Sequence, residues 1–359
     1  MNAIECAVMF QSGAQVAGKG ETKPAPRCGA LSWIFDLDDR TDWSQLEVAM
    51  QILTILAPVF LMIGIGVALQ ASGFVSPNFL KEANRLTYWL GLPALLFSQL
   101  AASSHNVGGA RLMGEAMFLV TVAVIFSGYA IARLLRVPGA SVGTFVQGAF
   151  RGNLAFVGLP IVYSFPDDTL GWGVSVRTAA VLTIAPMMVV YNIAGVVVLL
   201  LSQHKLGWSM VKPFLKQLAT TPPLLATIAG IAVAVMRWPV PVPLEKTFTA
   251  LGEMALPLGL LGVGGSLVTV KLRGSWQWPL AAAGLKTIAA PALGWLVARR
   301  LGLAGMELKV LMVLLACPTA IISYTMVLEL KGDETLASGT IIFSVLTSIF
   351  SLALIIGML

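Results

Sequence analysis

The 359-residue chain is 57% hydrophobic and 11% charged, with a formal net charge of +6 and a mean hydropathy of +0.86. A soluble domain carries about 25% charged residues, so this composition excludes a water-soluble globule and makes lipid the solvent. The basic balance fits the Lys/Arg-rich cytoplasmic loops of membrane proteins and does not point to nucleic acid. Three cysteines and two histidines in no ligand spacing build neither a disulfide framework nor a metal site.

Residues 1–49 differ from the rest, with seven acids and four bases and no uninterrupted apolar stretch for a signal peptide. The segment Gly18–Pro26 has a disordered composition. Met50 opens the first apolar run. Residues 1–49 are therefore read as a disordered or non-native extension with Met50 as the natural start; the other reading is an acidic cap or short surface helix.

From Met50 onward the apolar pattern predicts ten spans, at 51–70, 83–102, 113–132, 143–164, 178–201, 218–236, 247–268, 278–298, 309–329 and 336–358. Several charge-free windows, such as Thr178–His204 and Thr335–Leu359, reach the roughly 20 residues that a helix needs to cross a bilayer. Continuous apolar runs rather than alternating ones exclude a membrane barrel. The fold class is thus an all-α integral membrane protein. Residues 50–202 form a first five-helix half, 203–217 a connecting loop and 218–359 a second half.

Prolines link the halves. Pro58, Pro93 and Pro160 recur as Pro222, Pro257 and Pro318, at offsets of 164, 164 and 158 residues. An odd number of spans per half makes the second copy enter from the opposite side, the inverted-repeat plan of secondary transporters. The Lys/Arg distribution places the connecting loop in the cytoplasm and both termini outside, for an inner (plasma) membrane.

The fourth and ninth spans carry the site reading. Proline removes a helix hydrogen bond and pushes the preceding residue out of the helical region. Gly158-Leu-Pro160 in the fourth span and Cys317-Pro318-Thr319 in the ninth are expected to divide each span into two half-helices. Pro160 then stands near the first position of the second half. Half-helix N-termini present unpaired N–H groups and partial positive charge, which suit an anion.

Asn153, Gln99, Asn192, Ser323 and Tyr324 are the polar candidates. Asn153, Gln99 and Asn192 are each either a substrate contact or an interhelical hydrogen-bonding residue. Arg151, Glu253 and Lys286 are ionisable groups inside spans, where charge is costly and faces the interior or a water path. Lys286 either neutralises a carboxylate or pairs with Glu253. Arg151 either meets the substrate or snorkels to the interface. Glu253 is the candidate proton carrier, and the coupling ion is H+ or Na+. Gly148 and Gly152, and the run Gly259, Gly262, Gly264 and Gly265, mark close helix approach.

These motifs resemble the auxin efflux carrier family, which includes bacterial malate and malonate permeases. The matching pieces are Ala57–Gly64, Leu92–Phe97, Arg151–Pro160, Ala255–Leu261, Lys286 with Pro291, and Pro318–Asp333. The resemblance covers Met50–Leu359 and leaves residues 1–49 without a counterpart. It implies ten helices in two inverted five-helix repeats, with spans four and nine crossing at their breaks. Spans one, two, six and seven would form a static scaffold, often dimeric. The substrate would be a small organic acid carried without a cofactor, bound near Asn153, Gly158, Pro160, Pro318 and Thr319. A cation/proton antiporter of the same broken-helix plan is the rival reading.

Overall fold

The computed structural model describes residues 43–102, 108–171, 173–203, 222–269 and 276–359. Residues 1–42, both histidines and nearly all of the 203–217 connection lie outside the described residues. The chain divides into two compact units, Met1–Met50 and Gln51–Leu359. The described part of the first unit is helical.

Among the described residues the elements are helices, taken here in chain order. They are α1 (Trp43–Ala71), α2 (Pro77–Leu86, continued through Thr87–Gly91 into Leu92–Ala101), α3 (Gly108–Leu134), α4a (Gly139–Phe150), α4b (Leu154–Gly158 and Leu159–Tyr163) and α5 (Val176–Ser202). Then come α6 (Pro222–Met236), α7 (Val242–Thr269) and α8 (Gln277–Gly284, Leu285–Ala289 and Ala290–Arg300). The last are α9a (Gly305–Ala316), α9b (Ile322–Glu329) and α10 (Glu334–Met358). Among the described residues, six helices are long and apolar enough to cross a membrane, within α1, α3, α5, α7, α8 and α10. Large apolar side chains such as Leu61, Phe126, Val235, Ile288 and Phe350 stand exposed around the outside. Water does not tolerate so many; lipid does.

Local chemistry explains the helix ends. Ser76, Asn153, Ser175 and Asp333 cap α2, α4b, α5 and α10 by accepting the N–H of the third residue on. At the other ends, Arg136, Arg237 and Lys331 take left-handed backbone (φ 53°, 52° and 56°). The next N–H in each case reaches back to close the last turn, as Gly332 N–H does to the Val327 carbonyl at 2.8 Å.

Three prolines share one device. Pro93, Pro160 and Pro291 each follow a widened five-residue π turn: Thr87–Gly91, Leu154–Gly158 and Leu285–Ala289. In each, the N–H of the residue just before proline bonds the carbonyl five back, as Leu159 does to Leu154. Widening the turn moves the i−4 carbonyl away from the proline ring, so the helix bends but continues.

This corrects the expectation of a break at Pro160. The fourth segment is interrupted at Arg151–Asn153, and Pro160 lies in a helix that is already under way. The paired prolines also occupy unlike surroundings. Pro58 and Pro257 are inside unbroken helices, Pro222 starts α6, Pro93 and Pro160 follow π turns, and Pro318 lies in a gap.

Packing sorts the helices into two groups. In the first, α2 lies against α6 and α7, and the glycine face of α7 meets α1 and α2. A Cβ on Gly264 would run into Ile63 and Val67, and one on Gly262 into Asn84. In the second group, α3, α4a and α5 pack together, and α8 meets α10, α9a and α3. The groups touch where α5 meets α2 and α6 and where α4b meets α7. At that last seam Gly259 leaves room for the Phe156 ring.

Candidate functional site

The interruption in α9 follows from Pro318. It forces Cys317 into extended backbone (φ −53°, ψ 143°), which ends α9a. The α4 interruption contains no proline. Arg151 is extended (φ −81°, ψ 96°) and Asn153 is also non-helical. What holds this segment open is the other one.

Gly152 and Thr319 face each other in an antiparallel bridge. Asn153 N–H donates to the Pro318 carbonyl at 2.7 Å, and Ala320 N–H donates to the Arg151 carbonyl at 2.9 Å. Backbone freed from two helices cannot stay unpaired in a dry interior. Here each segment satisfies the other.

Side chains complete the pairing. Thr319 N–H donates to Ser344 Oγ at 2.9 Å, and the Thr319 hydroxyl donates to the Gly148 carbonyl at 2.8 Å, filling one of the end carbonyls of α4a. Asn153 Oδ1 accepts Phe156 N–H at 3.3 Å and so caps α4b.

Two helix C-termini and two N-termini therefore meet at one point, and two buried cations flank it. Lys286, 1% exposed, reaches from the π turn of α8 and donates to the Leu315 carbonyl near the end of α9a. A cation is favourable at a helix C-terminus. Gly152 makes room for it: a Cβ there would stand 2.9 Å from Lys286 Cε and 3.1 Å from Nζ.

Arg151, 4% exposed, donates to Asn192 Oδ1 at 2.6 Å, to the Tyr191 carbonyl at 3.5 Å and to the Met326 sulfur. Among the described residues the ion pairs are Arg85–Glu82, Arg111–Glu115 and Arg177–Asp167, and none involves either buried cation. Nor do the described residues group three or more metal-ligating side chains.

The sequence-selected residues fall into two places. Asn153, Pro318, Thr319, Arg151 and Lys286 form the crossing, with Asn192 joined to it through Arg151. Gly158 backs it against Leu314 and Cys317. Ser323 is buried in the first turn of α9b, with its hydroxyl unpaired; Tyr324 beside it is half-buried.

Gln99, Pro160 and Glu253 instead line a cleft of about 310 Å³, whose walls come from α1, α2, α4b, α7 and the start of α5. Glu253 is exposed on α7 and makes no bridge to Lys286, whose ammonium is turned to the Leu315 carbonyl instead. Arg151 does not snorkel; its guanidinium is held inside by α5 and α9b.

Sequence reading missed Gln147, Tyr191, Gly195, Met326 and Ser344. Gln147 had a findable signal, since it lies four residues before Arg151 on the same helical face. Ser344 and Met326 had none, because their roles come from contacts across the fold.

A family model described as "Membrane transport protein" matches residues 51–356. The chain is also similar to an uncharacterized transporter of Methanocaldococcus jannaschii, 20% identical over 306 residues, which cover 82% of this chain and 95% of that protein.

Proposed function

Since the chain belongs to the membrane transport protein family, the family of the auxin efflux carriers, we propose that it carries a small organic anion across the membrane by alternating access. It is a transporter and not an enzyme. The finer reading is a mono- or dicarboxylate, such as malate, malonate or an auxin-like acid, bound at the crossing of α4 and α9.

One observation carries it: Arg151 and Lys286 are both buried beside the paired interruptions, and neither contacts a carboxylate among the described residues. A buried cation without a counter-ion is costly. An incoming carboxylate supplies the missing charge, and the N-termini of α4b and α9b add to its attraction.

In this reading the helices make ten crossings as two inverted five-helix repeats. The 203–217 connection is cytoplasmic and the termini are outside, in a bacterial inner membrane. The group α1, α2, α6 and α7 is the scaffold and forms the homodimer. The group carrying the crossing moves against it along the cleft lined by Pro58, Gln99, Pro160 and Glu253. H+ or Na+ is the coupling ion.

The cation/proton antiporter reading requires an acidic side chain at the crossing, and the charged groups found there are Arg151 and Lys286. The test is a thermal-shift screen of purified protein against carboxylates and against Na+ and Li+, because a ligand that binds the folded state raises its apparent stability. Stabilisation by an acid, followed by its uptake in proteoliposomes, supports the anion reading. Stabilisation by cations alone overturns it.

A further inference from the structure

Two strong donors converge on one poor acceptor behind the crossing. Arg151 Nη1 and Gln147 Nε2, the latter at 3.6 Å, both point at the sulfur of Met326 on α9b. Gly195 on α5 makes the convergence possible. A Cβ there would stand 2.9 Å from Gln147 Nε2, 3.0 Å from Arg151 Nη1 and 3.3 Å from Met326 Cε. A thioether accepts hydrogen bonds weakly, whereas a guanidinium is built to hold a carboxylate with two of its N–H groups.

Two polar atoms on the residues nearby in sequence or contact have no partner. Gln147 Oε1 and Ser323 Oγ are both buried and unpaired, on residues 0% and 2% exposed. Ser323 lies three residues before Met326, on the same face of α9b. Leaving such atoms unsatisfied is unfavourable. An arginine and an amide thus converge on a flexible thioether that answers them only weakly.

We propose that Met326 is a displaceable stand-in for the substrate's carboxylate. The thioether occupies the space in front of Arg151 and Gln147 when no acid is bound. An entering carboxylate swings it aside and takes over the two donors. Met326 then sets the affinity for substrate, because its acceptor strength decides how firmly the empty site competes with the incoming acid. This rests on the organic-anion reading above and assigns the carboxylate to the Arg151 side of the crossing.

The experiment measures malate and malonate binding by thermal shift, and their uptake in proteoliposomes, for the wild type and two variants. Met326→Leu keeps the volume and removes the acceptor; it should tighten the apparent Kd by about threefold or more. Met326→Gln offers a strong internal acceptor and should weaken it by about tenfold or more. Unfolding temperature without ligand tells whether either variant is misfolded, and Met326→Ile replaces Met326→Leu if that one is.

Opposite shifts in the two variants support the proposal. Equal Kd values in wild type and variants overturn it and leave the anion reading standing. If neither acid, nor any other carboxylate of the panel, binds the wild type, the anion reading falls and the Met326 proposal falls with it.

Discussion

The Asn153 amide donates to the Pro318 carbonyl across 2.7 Å, joining residues 165 positions apart at the point where two helices stop. The Arg151 carbonyl receives the Ala320 amide in return. The site is therefore set by backbone, and its side chains are carried on a two-stranded bridge that neither segment could form alone.

Asn153 has two separable roles, and two variants divide them. Asn153→Ala removes the cap on Phe156 N–H and should lower stability by about 1 kcal/mol, while abolishing uptake. Asn153→Asp keeps a capping oxygen and adds a negative charge. It should unfold at the wild-type temperature and still fail to transport. Uptake that survives in both variants removes Asn153 from the substrate path.

Lys286→Gln keeps length and polarity but drops the charge held against Leu315. The expected outcome is a monodisperse protein in detergent with uptake reduced at least about tenfold, the scale of one lost charge-assisted contact. Failure to assemble would instead mark Lys286 as a structural cation for the α9a terminus.

Pro291 tests whether the π turn aims Lys286. Without the ring, Leu285–Ala289 is free to return to ordinary α-helical spacing. Each residue removed from a widened turn rotates the downstream helix by about 100°. Pro291→Ala should thus lower uptake although every charge is kept. Accessibility of a cysteine placed at Thr287, now fully buried, should rise. Unchanged labelling would show that the turn persists without proline.

Gly152→Ala places a methyl group against the Lys286 side chain. Overpacking of this kind costs about 1–3 kcal/mol, read as a lower unfolding temperature, with uptake falling in parallel. Combining it with Lys286→Ala should restore the lost stability but not the transport, a coupling that a double-mutant cycle measures.

Much of this was legible in the chain. Apolar windows located the helical segments because lipid rewards uninterrupted hydrophobic runs with internal backbone bonding. Pro318 marked its own interruption, since the steric effect on Cys317 is local. Asn153 was legible as a polar residue near the site, and Arg151 and Lys286 as charges in apolar surroundings.

Pro160 was misleading for a local reason that sequence does not display. A helix can absorb proline by widening one turn, and whether it breaks or widens depends on what surrounds it.

The amino-acid order alone determined that this protein lives in lipid, which segments become helices, and that charged and amide side chains stand inside the second, fourth, fifth, seventh and eighth. Tertiary structure decided where α4 opens, because the backbone of residues 151–153 finds its partners there in residues 318–320. It also decided that Lys286 turns to Leu315 rather than Glu253, and that Met326 covers Arg151. Short-range sterics act within a few residues and can be read from neighbours in the chain. The pairing of two interrupted helices links groups more than 150 residues apart, and only the folded packing brings them within hydrogen-bonding distance.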